Sequence, residues 1–322
     1  MSEGRPGGPV VVTGGAGAIG SILVRELLAE GREVRVVDNL SSGHKELLPS
    51  PGSAARLSFH LTDLAREGLP PAAAEGVEEL WHLAANPDIR KGTADPRIDL
   101  ENGTLATFHV LESARTGDIP RVRFSSSSVV YGLASVQPTP ETYGPLAPES
   151  LYGAAKLASE AMVSAYAHSY GLTAHIFRFA NIIDGRMKHG ILYDLFQKLA
   201  RDPSRLEVLG DGRQAKSYLR TEDCVAGMRT ATRGANEPVN FFNLGAADRI
   251  TVREIAEKVV RAHGGGARID YLGGDRGWTG DVPLQLLSIE KLGRLGWKPS
   301  FTSAGAIDKT IGELREALHG TP

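Results

Sequence analysis

The run Val10-Val11-Val12-Thr13-Gly14-Gly15-Ala16-Gly17-Ala18-Ile19-Gly20 joins a short apolar strand to a helix through a glycine-rich turn. Gly14, Gly17 and Gly20 allow a sharp turn, the approach of a pyrophosphate to the backbone, and close packing of the helix on the strand. The N–H groups at the start of the helix favour negative charge. A second β-branched run ends at Asp38, whose carboxylate can accept hydrogen bonds from an adenosine ribose and repels a 2′-phosphate. These features predict a Rossmann-type fold that binds NAD.

Strand and helix patterns alternate along the first half of the chain. Apolar runs predict strands at 10–13, 33–37, 57–61, 79–83, 121–125, 173–179 and 239–244. Helical spacing predicts helices at 19–30, 105–115, 152–170, 191–201, 222–232, 252–263 and 303–318. Such alternation is typical of a parallel sheet covered on both faces, so we predict an α/β protein with a doubly wound, Rossmann-type parallel sheet. The predicted NAD-binding domain is 1–180 with a returning segment at about 221–247, and the rest of 181–322 forms a smaller mixed α/β C-terminal substrate-binding domain.

The composition excludes several classes of protein. Of the 322 residues, 41% are hydrophobic and 23% are charged, which is typical of a packed globular core. The formal net charge of -2 provides no basic bias for binding nucleic acid or an anionic membrane. Cys224 is the only cysteine, so an internal disulfide and a cysteine-based zinc site are both impossible, and we expect no metal. The sequence has neither a signal-peptide core nor a membrane-length apolar run, so we expect a cytoplasmic protein.

Two residues with acid–base chemistry, Tyr152 and Lys156, lie four positions apart and therefore share one face of a predicted helix. An ammonium there lowers the pKa of the phenol, so that the phenolate can act as a general base near neutral pH. The same ammonium can donate to the nicotinamide ribose. A run of serines from Ser125 to Ser128 follows the fifth predicted strand, where such sheets bind ligands in a crevice. The combination predicts transfer of a hydride and a proton at a substrate hydroxyl.

Further motifs extend from the first strand to near the C-terminus. They are Thr13-Gly-Gly-Ala-Gly-Ala-Ile-Gly20, His82-Leu-Ala-Ala-Asn-Pro87, Phe124-Ser-Ser-Ser-Ser-Val-Val-Tyr-Gly132, Tyr152-Gly-Ala-Ala-Lys156, Arg178-Phe-Ala-Asn181, Gly210-Asp-Gly-Arg-Gln214 and Gly277-Trp-Thr-Gly-Asp281. In these pieces the sequence resembles extended short-chain dehydrogenases/reductases, and among them the UDP-glucose (UDP-galactose) 4-epimerases. The resemblance implies NAD as cofactor, a nucleotide-diphosphate sugar as substrate, and a homodimer built on a four-helix interface.

The resemblance also implies roles for individual residues. Tyr152 removes the proton of the C4 hydroxyl, Ser127 hydrogen-bonds the same oxygen, and Lys156 holds the cofactor and tunes Tyr152. The implied cofactor-binding residues are Gly14, Gly17, Ala18, Ile19, Gly20, Asp38, Asn39, Asp63, Leu64, Leu83, Ala84, Ala85, Ser125, Tyr152 and Lys156. The implied substrate-binding residues are Ser127, Asn181, Lys188, His189, Val208, Lys216, Tyr218, Arg276 and Asp281. For Asp63, a helix N-cap is an equally credible interpretation.

The residues after Ser127 bear on which reaction is catalysed. In the resembled family, 4,6-dehydratases have an Asp-Glu pair directly after the catalytic serine or threonine, and 6-decarboxylases usually have a glutamate in the same run. Ser128 and Val129 stand here instead, which disfavours both reactions. A non-catalytic NAD-binding regulator is the alternative from a different class. The intact set of Ser127, Tyr152 and Lys156 argues against that alternative.

The sugar and the nucleotide stay open, although UDP-glucose and UDP-galactose are the first expectation. Lys188-His189 lies where a sugar-facing loop is expected, and a cation there could bind the carboxylate of a uronate. Gln285 matches a position that limits pocket size, and its intermediate size leaves N-acetylated sugars open. Arg276 lies five residues before Asp281 instead of three, which leaves its contact with the diphosphate open.

Overall fold

The structure, a computed structural model, describes residues 7–50 and 56–319. The ends of the predicted domains at 1–6 and 320–322 lie outside the described residues. The strands are β1 (Val10–Thr13), β2 (Val34–Asp38), β3 (Leu57–Leu61), β4 (Glu79–His82), β5 (Arg121–Ser127), β6 (Thr173–Phe179), β7 (Asn181–Ile183), β8 (Arg205–Val208), β9 (Ala215–Lys216), β10 (Tyr218–Arg220), β11 (Val239–Leu244), β12 (Ile250–Thr251), β13 (Arg268–Tyr271) and β14 (Leu284–Gln285).

The helices are α1 (Ala18–Ala29), α2 (Leu64–Glu67), α3 (Pro71–Ala74), α4 (Ile89–Ala94), α5 (Arg97–Asp99), α6 (Ala106–Thr116), α7 (Leu151–Tyr170), α8 (Ile191–Arg201), α9 (Thr221–Gly234), α10 (Val252–Ala262), α11 (Glu290–Gly293) and α12 (Ser303–His319). Two 3₁₀ turns (Lys45–Leu47 and Ser128–Tyr131) and a π-helical segment (Leu100–Leu105) accompany them. Within the described residues, no helix has the length and apolar character needed to cross a membrane.

Seven parallel strands form the main sheet in the order β11-β6-β5-β4-β1-β2-β3. The first strand in the chain, β1, pairs with β2 on one side and with β4 on the other, so the direction of winding reverses at β1. In open α/β sheets, ligands bind outside the carboxyl ends of the strands at such a reversal. The predicted fold class, a doubly wound parallel sheet of Rossmann type, is confirmed.

Helices cover both faces of this sheet because the strand residues alternate between faces. Val10 and Val12 pack with α1 and α9 in one buried cluster, whereas Val11 packs with α6 and α7 in another. Strands buried on both faces explain why the sequence shows continuous apolar runs rather than alternation.

Most predicted elements are present with boundaries within two residues of those expected. Two differences affect the site. Strand β5 continues two residues beyond the predicted end, to Ser127, and the helix predicted from 105 is preceded by a π-helical segment over 100–105. Gly103 within that segment allows close packing, because a Cβ atom there would lie 2.9 Å from the Cβ of Ala155 in α7.

The C-terminal part has its own hydrophobic cluster. Helices α8, α10 and α12 pack around β8 and β10 through residues that include Leu195, Leu206, Ile255 and Ile307. One small sheet there is mixed, since β9 pairs antiparallel with β12 and parallel with β14, whereas the β7–β10 and β8–β13 pairs are parallel. Strand β11 instead returns to the main sheet beside β6.

Candidate active site

The glycine-rich turn sits at the carboxyl end of β1, and its geometry requires glycine. Gly14 has a φ of 66°, and a Cβ atom there would lie 2.7 Å from the backbone nitrogen of Ala84. A Cβ atom on Gly20 would clash with the carbonyl of Gly14 and lie 2.7 Å from the Cα of Gly15. The backbone of the turn and the start of α1 therefore stay open to an incoming phosphate. This cradle fits the pyrophosphate of a dinucleotide, as the sequence predicts.

Asp38 ends β2 beside the same turn. Its Oδ2 accepts from the backbone N–H of Ala16 at 3.0 Å, and its Oδ1 accepts from the backbone N–H of Leu40 at 2.8 Å. Each carboxylate oxygen has a second lone pair available for a ribose hydroxyl. Asn39 is exposed at the next position. The hydrogen bonds fix the negative charge of Asp38 against the glycine turn.

The remaining predicted cofactor residues lie at the ends of β3 and β4 and in the first turn of α1. Asp63 caps α2 by accepting from the N–H of Ala65, so the N-cap interpretation is confirmed, and a contact with adenine stays a prediction. The side chain of Leu64 packs in the core below α6. Half-buried residues at the mouth of the crevice are Ala18, Ile19, Leu83, Ala84 and Ala85.

The serines at the carboxyl end of β5 have three different partners. The Ser125 hydroxyl donates to the carbonyl of His82 at 3.2 Å, which joins β5 to β4. The Ser126 hydroxyl donates to Glu160 Oε1 of α7 at 2.5 Å. Ser127 Oγ accepts from the N–H of Val129 and remains half-buried. Only the Ser127 hydroxyl is therefore left at the crevice, as expected for the substrate-facing serine.

Lys156 and Tyr152 lie on α7 next to these serines. Lys156 is 3% exposed, and its Nζ donates to the Ser125 carbonyl at 2.7 Å. The same Nζ lies 5.9 Å from the centre of the Tyr152 ring and 4.8 Å from that of Phe124. The first turn of α7 packs on the 3₁₀ turn that follows β5, since a Cβ atom on Gly153 would lie 3.1 Å from the Val129 carbonyl.

The expected effect of Lys156 on Tyr152 is not found in this structure. Burial, followed by the nearby Asp99 carboxylate, raises the pKa of the Tyr152 phenol. Lys156 directs its ammonium to the Ser125 carbonyl, and burial lowers its own pKa to about 8, against the opposing effect of Glu160 and Asp99. The prediction of a lowered phenol pKa is therefore wrong for the chain alone, because burial penalises the phenolate and the Asp99 carboxylate repels it.

Asp99 is a buried carboxylate that the sequence analysis missed. It is 2% exposed, and its Oδ1 accepts from the Asn86 amide at 3.0 Å. Within the described residues, its Oδ2 has no hydrogen-bond partner. Burial raises the pKa of this carboxyl, and the effect is opposed by Asn86 and Lys156. The π-helical segment that follows Asp99 packs against α7.

A second buried carboxylate, Glu160, forms an ion pair with Arg178 of β6. The guanidinium donates to both Glu160 oxygens, at 2.9 Å from Nε and 2.7 Å from Nη2. Its Nη1 donates to the Tyr131 hydroxyl at 2.9 Å, and that hydroxyl donates to Asn243. The signal for Glu160 was available in the sequence, because it lies four residues after Lys156 on the same helical face.

Several predicted substrate residues form a second group opposite the serines. Asn181 donates to Gln285 Oε1 at 3.0 Å, and Gln285 donates to the Ser128 hydroxyl, so β7, β14 and the loop after β5 are joined. Lys216 forms an ion pair with the buried Asp281, and its Nζ lies 4.9 Å from the centre of the Trp278 ring.

Arg276, Lys188 and His189 are the remaining basic residues among the predicted substrate contacts. Arg276 pairs with Glu149 at 3.0 Å. Lys188 is exposed, whereas His189 is half-buried near Asp88, Asp194, Arg90 and Lys91. Burial lowers the pKa of His189, so its ring is neutral at pH 7.

Val208 and Tyr218 differ from the other predicted substrate residues. Both are buried in the C-terminal cluster, at 2% and 4% exposure. Their side chains pack against neighbouring strands, so a side-chain contact with substrate would need the cluster to open. Such a contact stays a prediction.

Arg186 was also missed, and it links the C-terminal part to the cofactor cradle. Its guanidinium pairs with Asp184 at 2.6 Å and reaches the first turn of α1, where it donates to the Ala18 carbonyl and the Ser21 hydroxyl, each at 3.4 Å. Only the fold reveals this contact, since the partners are more than 160 positions apart.

Comparison with known proteins agrees with this geometry. The model of the NAD dependent epimerase/dehydratase family matches residues 10–245. The chain belongs to this family. A UDP-glucose 4-epimerase of Mycolicibacterium smegmatis is 30% identical over 307 residues, which cover 94% of this chain and 96% of that protein. A crystal structure of a UDP-galactose 4-epimerase superposes with a TM-score of 0.87 at 39% identity, covering 96% of this chain and 99% of that one.

Other members of the epimerase/dehydratase family at similar identity have different names. MoeE5, solved with UDP-glucuronic acid and NAD, has a TM-score of 0.84 at 26% identity and covers 97% of this chain and 100% of that one. UDP-glucuronic acid decarboxylases and a dTDP-glucose 4,6-dehydratase are also similar. The chain is therefore an enzyme of an NAD-dependent nucleotide-sugar epimerase/dehydratase family, with NAD as its cofactor.

Proposed function

We propose that the chain is a nucleotide-sugar 4-epimerase that interconverts UDP-glucose and UDP-galactose through a transient 4-keto sugar. The observation that carries the proposal is the convergence of Ser127, Tyr152 and Lys156 where β5 and α7 meet. In the described part of the chain, these are the groups at the crevice that can exchange a proton with a sugar hydroxyl and hold a nicotinamide ribose. The substrate-binding role of the C-terminal part is included in the proposal.

Each of the three side chains has one main task. Tyr152 takes the proton of the C4 hydroxyl and later returns it, while Ser127 holds the same oxygen by a hydrogen bond. NAD, when bound, accepts the C4 hydride and returns it, and in its oxidised form its ring carries a positive charge. Positive charge at this site favours the phenolate of Tyr152, which burial in the chain alone disfavours. Lys156 adds to that charge and holds the cofactor.

The loop after β5 supports epimerisation over elimination of water or loss of carboxylate. A dehydratase of the resembled family uses acidic residues directly after the serine to expel water. Here Ser128 is buried and bound to Gln285, and the apolar Val129 follows it. The chain thus lacks an acid at the two positions where those reactions need one.

The charges around His189 bear on whether a uronate is accepted as an alternative substrate. Asp88 and Asp194 offset Arg90, with distances of 3.2 Å and 3.1 Å. The neutral His189 adds no charge at pH 7, whereas Lys91 and the adjacent Lys188 leave this cluster with a net positive charge. UDP-glucuronic acid is therefore the alternative substrate that the test must include.

The test is to incubate the NAD-loaded protein with single nucleotide sugars and identify the products by NMR. The panel includes UDP-glucose, UDP-galactose, UDP-N-acetylglucosamine, UDP-glucuronic acid and a thymidine-linked hexose. We expect a mixture of UDP-glucose and UDP-galactose from either one. A 4-keto-6-deoxy sugar, a pentose product, or no conversion of any sugar would contradict the proposal.

A further inference from the structure

The roles above do not use Glu160, although it lies one helical turn beyond Lys156. Its carboxylate is 3% exposed and bridges three elements: α7, which carries it, β5 through Ser126, and β6 through Arg178. A buried carboxylate is costly to desolvate, and here Arg178 and Ser126 offset that cost with three hydrogen bonds.

We propose that Glu160 is a positioning residue, which holds the carboxyl end of β5, and with it the Ser127 hydroxyl, against α7. The inference rests on the proposed function in giving Lys156 and Ser127 their roles. It concerns a residue that touches neither substrate nor cofactor and acts through its neighbours.

The first part of the argument concerns geometry. Lys156 and Glu160 form hydrogen bonds with adjacent residues of β5. Lys156 Nζ donates to the Ser125 carbonyl at 2.7 Å, and Glu160 Oε1 accepts from the Ser126 hydroxyl at 2.5 Å. Ser127 is the next residue along β5. The two successive hydrogen bonds between β5 and α7 therefore fix the position of its hydroxyl. Small displacements of a catalytic group reduce rates strongly.

The second part concerns charge. The groups that face Lys156 are Tyr152 and Glu160 from α7, Asp99 from α5 and His82 from β4. His82 is neutral, because burial lowers its pKa to about 3. Burial lowers the pKa of Lys156 to about 8, and Glu160 followed by Asp99 opposes that lowering. Removing the charge of Glu160 therefore lowers the pKa of Lys156 further, toward neutral pH.

The experiment compares Glu160→Gln with Glu79→Gln, measuring kcat/KM and calorimetric NAD affinity across neutral and alkaline pH. Glu79 is a matched control because it pairs with the buried Arg123, on the same strand β5, at 2.9 Å. The kcat/KM and the NAD affinity should both decrease at alkaline pH. In Glu160→Gln, we expect this decrease to begin at a lower pH, by on the order of one pH unit. Glu79→Gln should leave both profiles at the wild-type position.

Ser126→Ala tests the geometric part without leaving Arg178 unpaired, and it decides the proposal alone if Glu160→Gln does not fold. We expect a roughly tenfold loss of kcat with unchanged KM. Profiles in Glu160→Gln that coincide with those of Glu79→Gln, or full kcat in Ser126→Ala, would overturn the proposal. If the wild type converts no nucleotide sugar, the proposed function fails, whereas the pH dependence of NAD affinity still tests Glu160.

Discussion

Lys156 donates from Nζ to the backbone carbonyl of Ser125, 2.7 Å away, so the ammonium ties α7 to the end of β5. The ammonium is buried, and it lies 5.9 Å from the centre of the Tyr152 ring. Lys156 therefore both connects α7 to β5 and supplies a positive charge at the site. Its replacement should affect NAD binding as well as activity.

The three proposed catalytic residues should differ in severity when replaced. Tyr152→Phe should lower kcat by about 10²–10⁴, the usual contribution of a general acid–base group, and leave NAD binding nearly intact because the ring still packs. Lys156→Ala should lose activity and also weaken NAD binding. Ser127→Ala should be milder than either. Turnover assays with calorimetry of NAD check this order, and a Tyr152→Phe variant that keeps most of the wild-type rate would contradict the assignment of the base.

Activity should fall in mildly alkaline solution. Burial lowers the pKa of Lys156 to about 8, so the ammonium is present below about pH 8 and is lost as the pH rises through that value. If the ammonium is required, kcat/KM declines above about pH 8 and recovers when the solution is returned to neutral pH. Circular dichroism at each pH provides the control for folding. A profile that stays flat well above pH 8 would show that Lys156 does not need its charge.

The sequence predicted the sheet well because buried parallel strands and their helices leave strong local patterns. The glycine turn, Asp38, Ser127, Tyr152 and Lys156 could be singled out because each belongs to a local motif, and their roles stay predictions. Asp99 and Arg186 were missed because their importance comes from partners distant in sequence. The π-helical segment at 100–105 was missed because Asn102-Gly103 within it favours a turn over a helix.

The chain should bind NAD in preference to NADP, by about tenfold or more, which corresponds to about 1.4 kcal/mol. Asp38 is buried with its carboxylate fixed by the N–H groups of Ala16 and Leu40, so its charge cannot move away from a 2′-phosphate. Asp38→Asn should reduce the ratio of the affinities for NAD and NADP. Asp63→Asn, which keeps a helix N-cap, should leave this ratio unchanged. Equal calorimetric affinity of the wild type for both nucleotides would disprove this role of Asp38.

Gln285 should limit the size of the sugar that is accepted. Its side chain is held between Asn181 and Ser128, so it cannot swing aside without losing two hydrogen bonds. Gln285→Ala should therefore raise turnover of UDP-N-acetylglucosamine relative to UDP-glucose. Arg276→Ala, in the same C-terminal part, is the comparison, because it should change the KM for both sugars alike. An unchanged ratio in Gln285→Ala would exclude this position as a size filter.

The outer faces of α6 and α7 are candidates for the predicted dimer interface. Leu105 and Phe108 are exposed at 38% and 40%. Exposed alanines at 154, 158, 161 and 165 form a stripe along α7, since they are spaced by three or four residues. The apolar residues of the sequence predict Leu111 on this face together with Leu105 and Phe108, but Leu111 is 1% exposed and packs against the sheet. The face of α6 and α7 that is available for a dimer contact is therefore narrower than the sequence predicts. It is lined by small side chains that permit close approach of helices.

Placing a charge in this stripe should separate the subunits. In an isologous two-fold contact each residue of the face is used twice, so Ala161→Arg introduces two cations into one interface. We expect the wild type to be a dimer in light scattering at micromolar concentration and Ala161→Arg to be a monomer with an unchanged circular dichroism spectrum. Ala226→Arg, an exposed alanine on α9 outside this face, should remain dimeric. A monomeric wild type would refute the dimer, and a dimeric Ala161→Arg would move the interface to another surface.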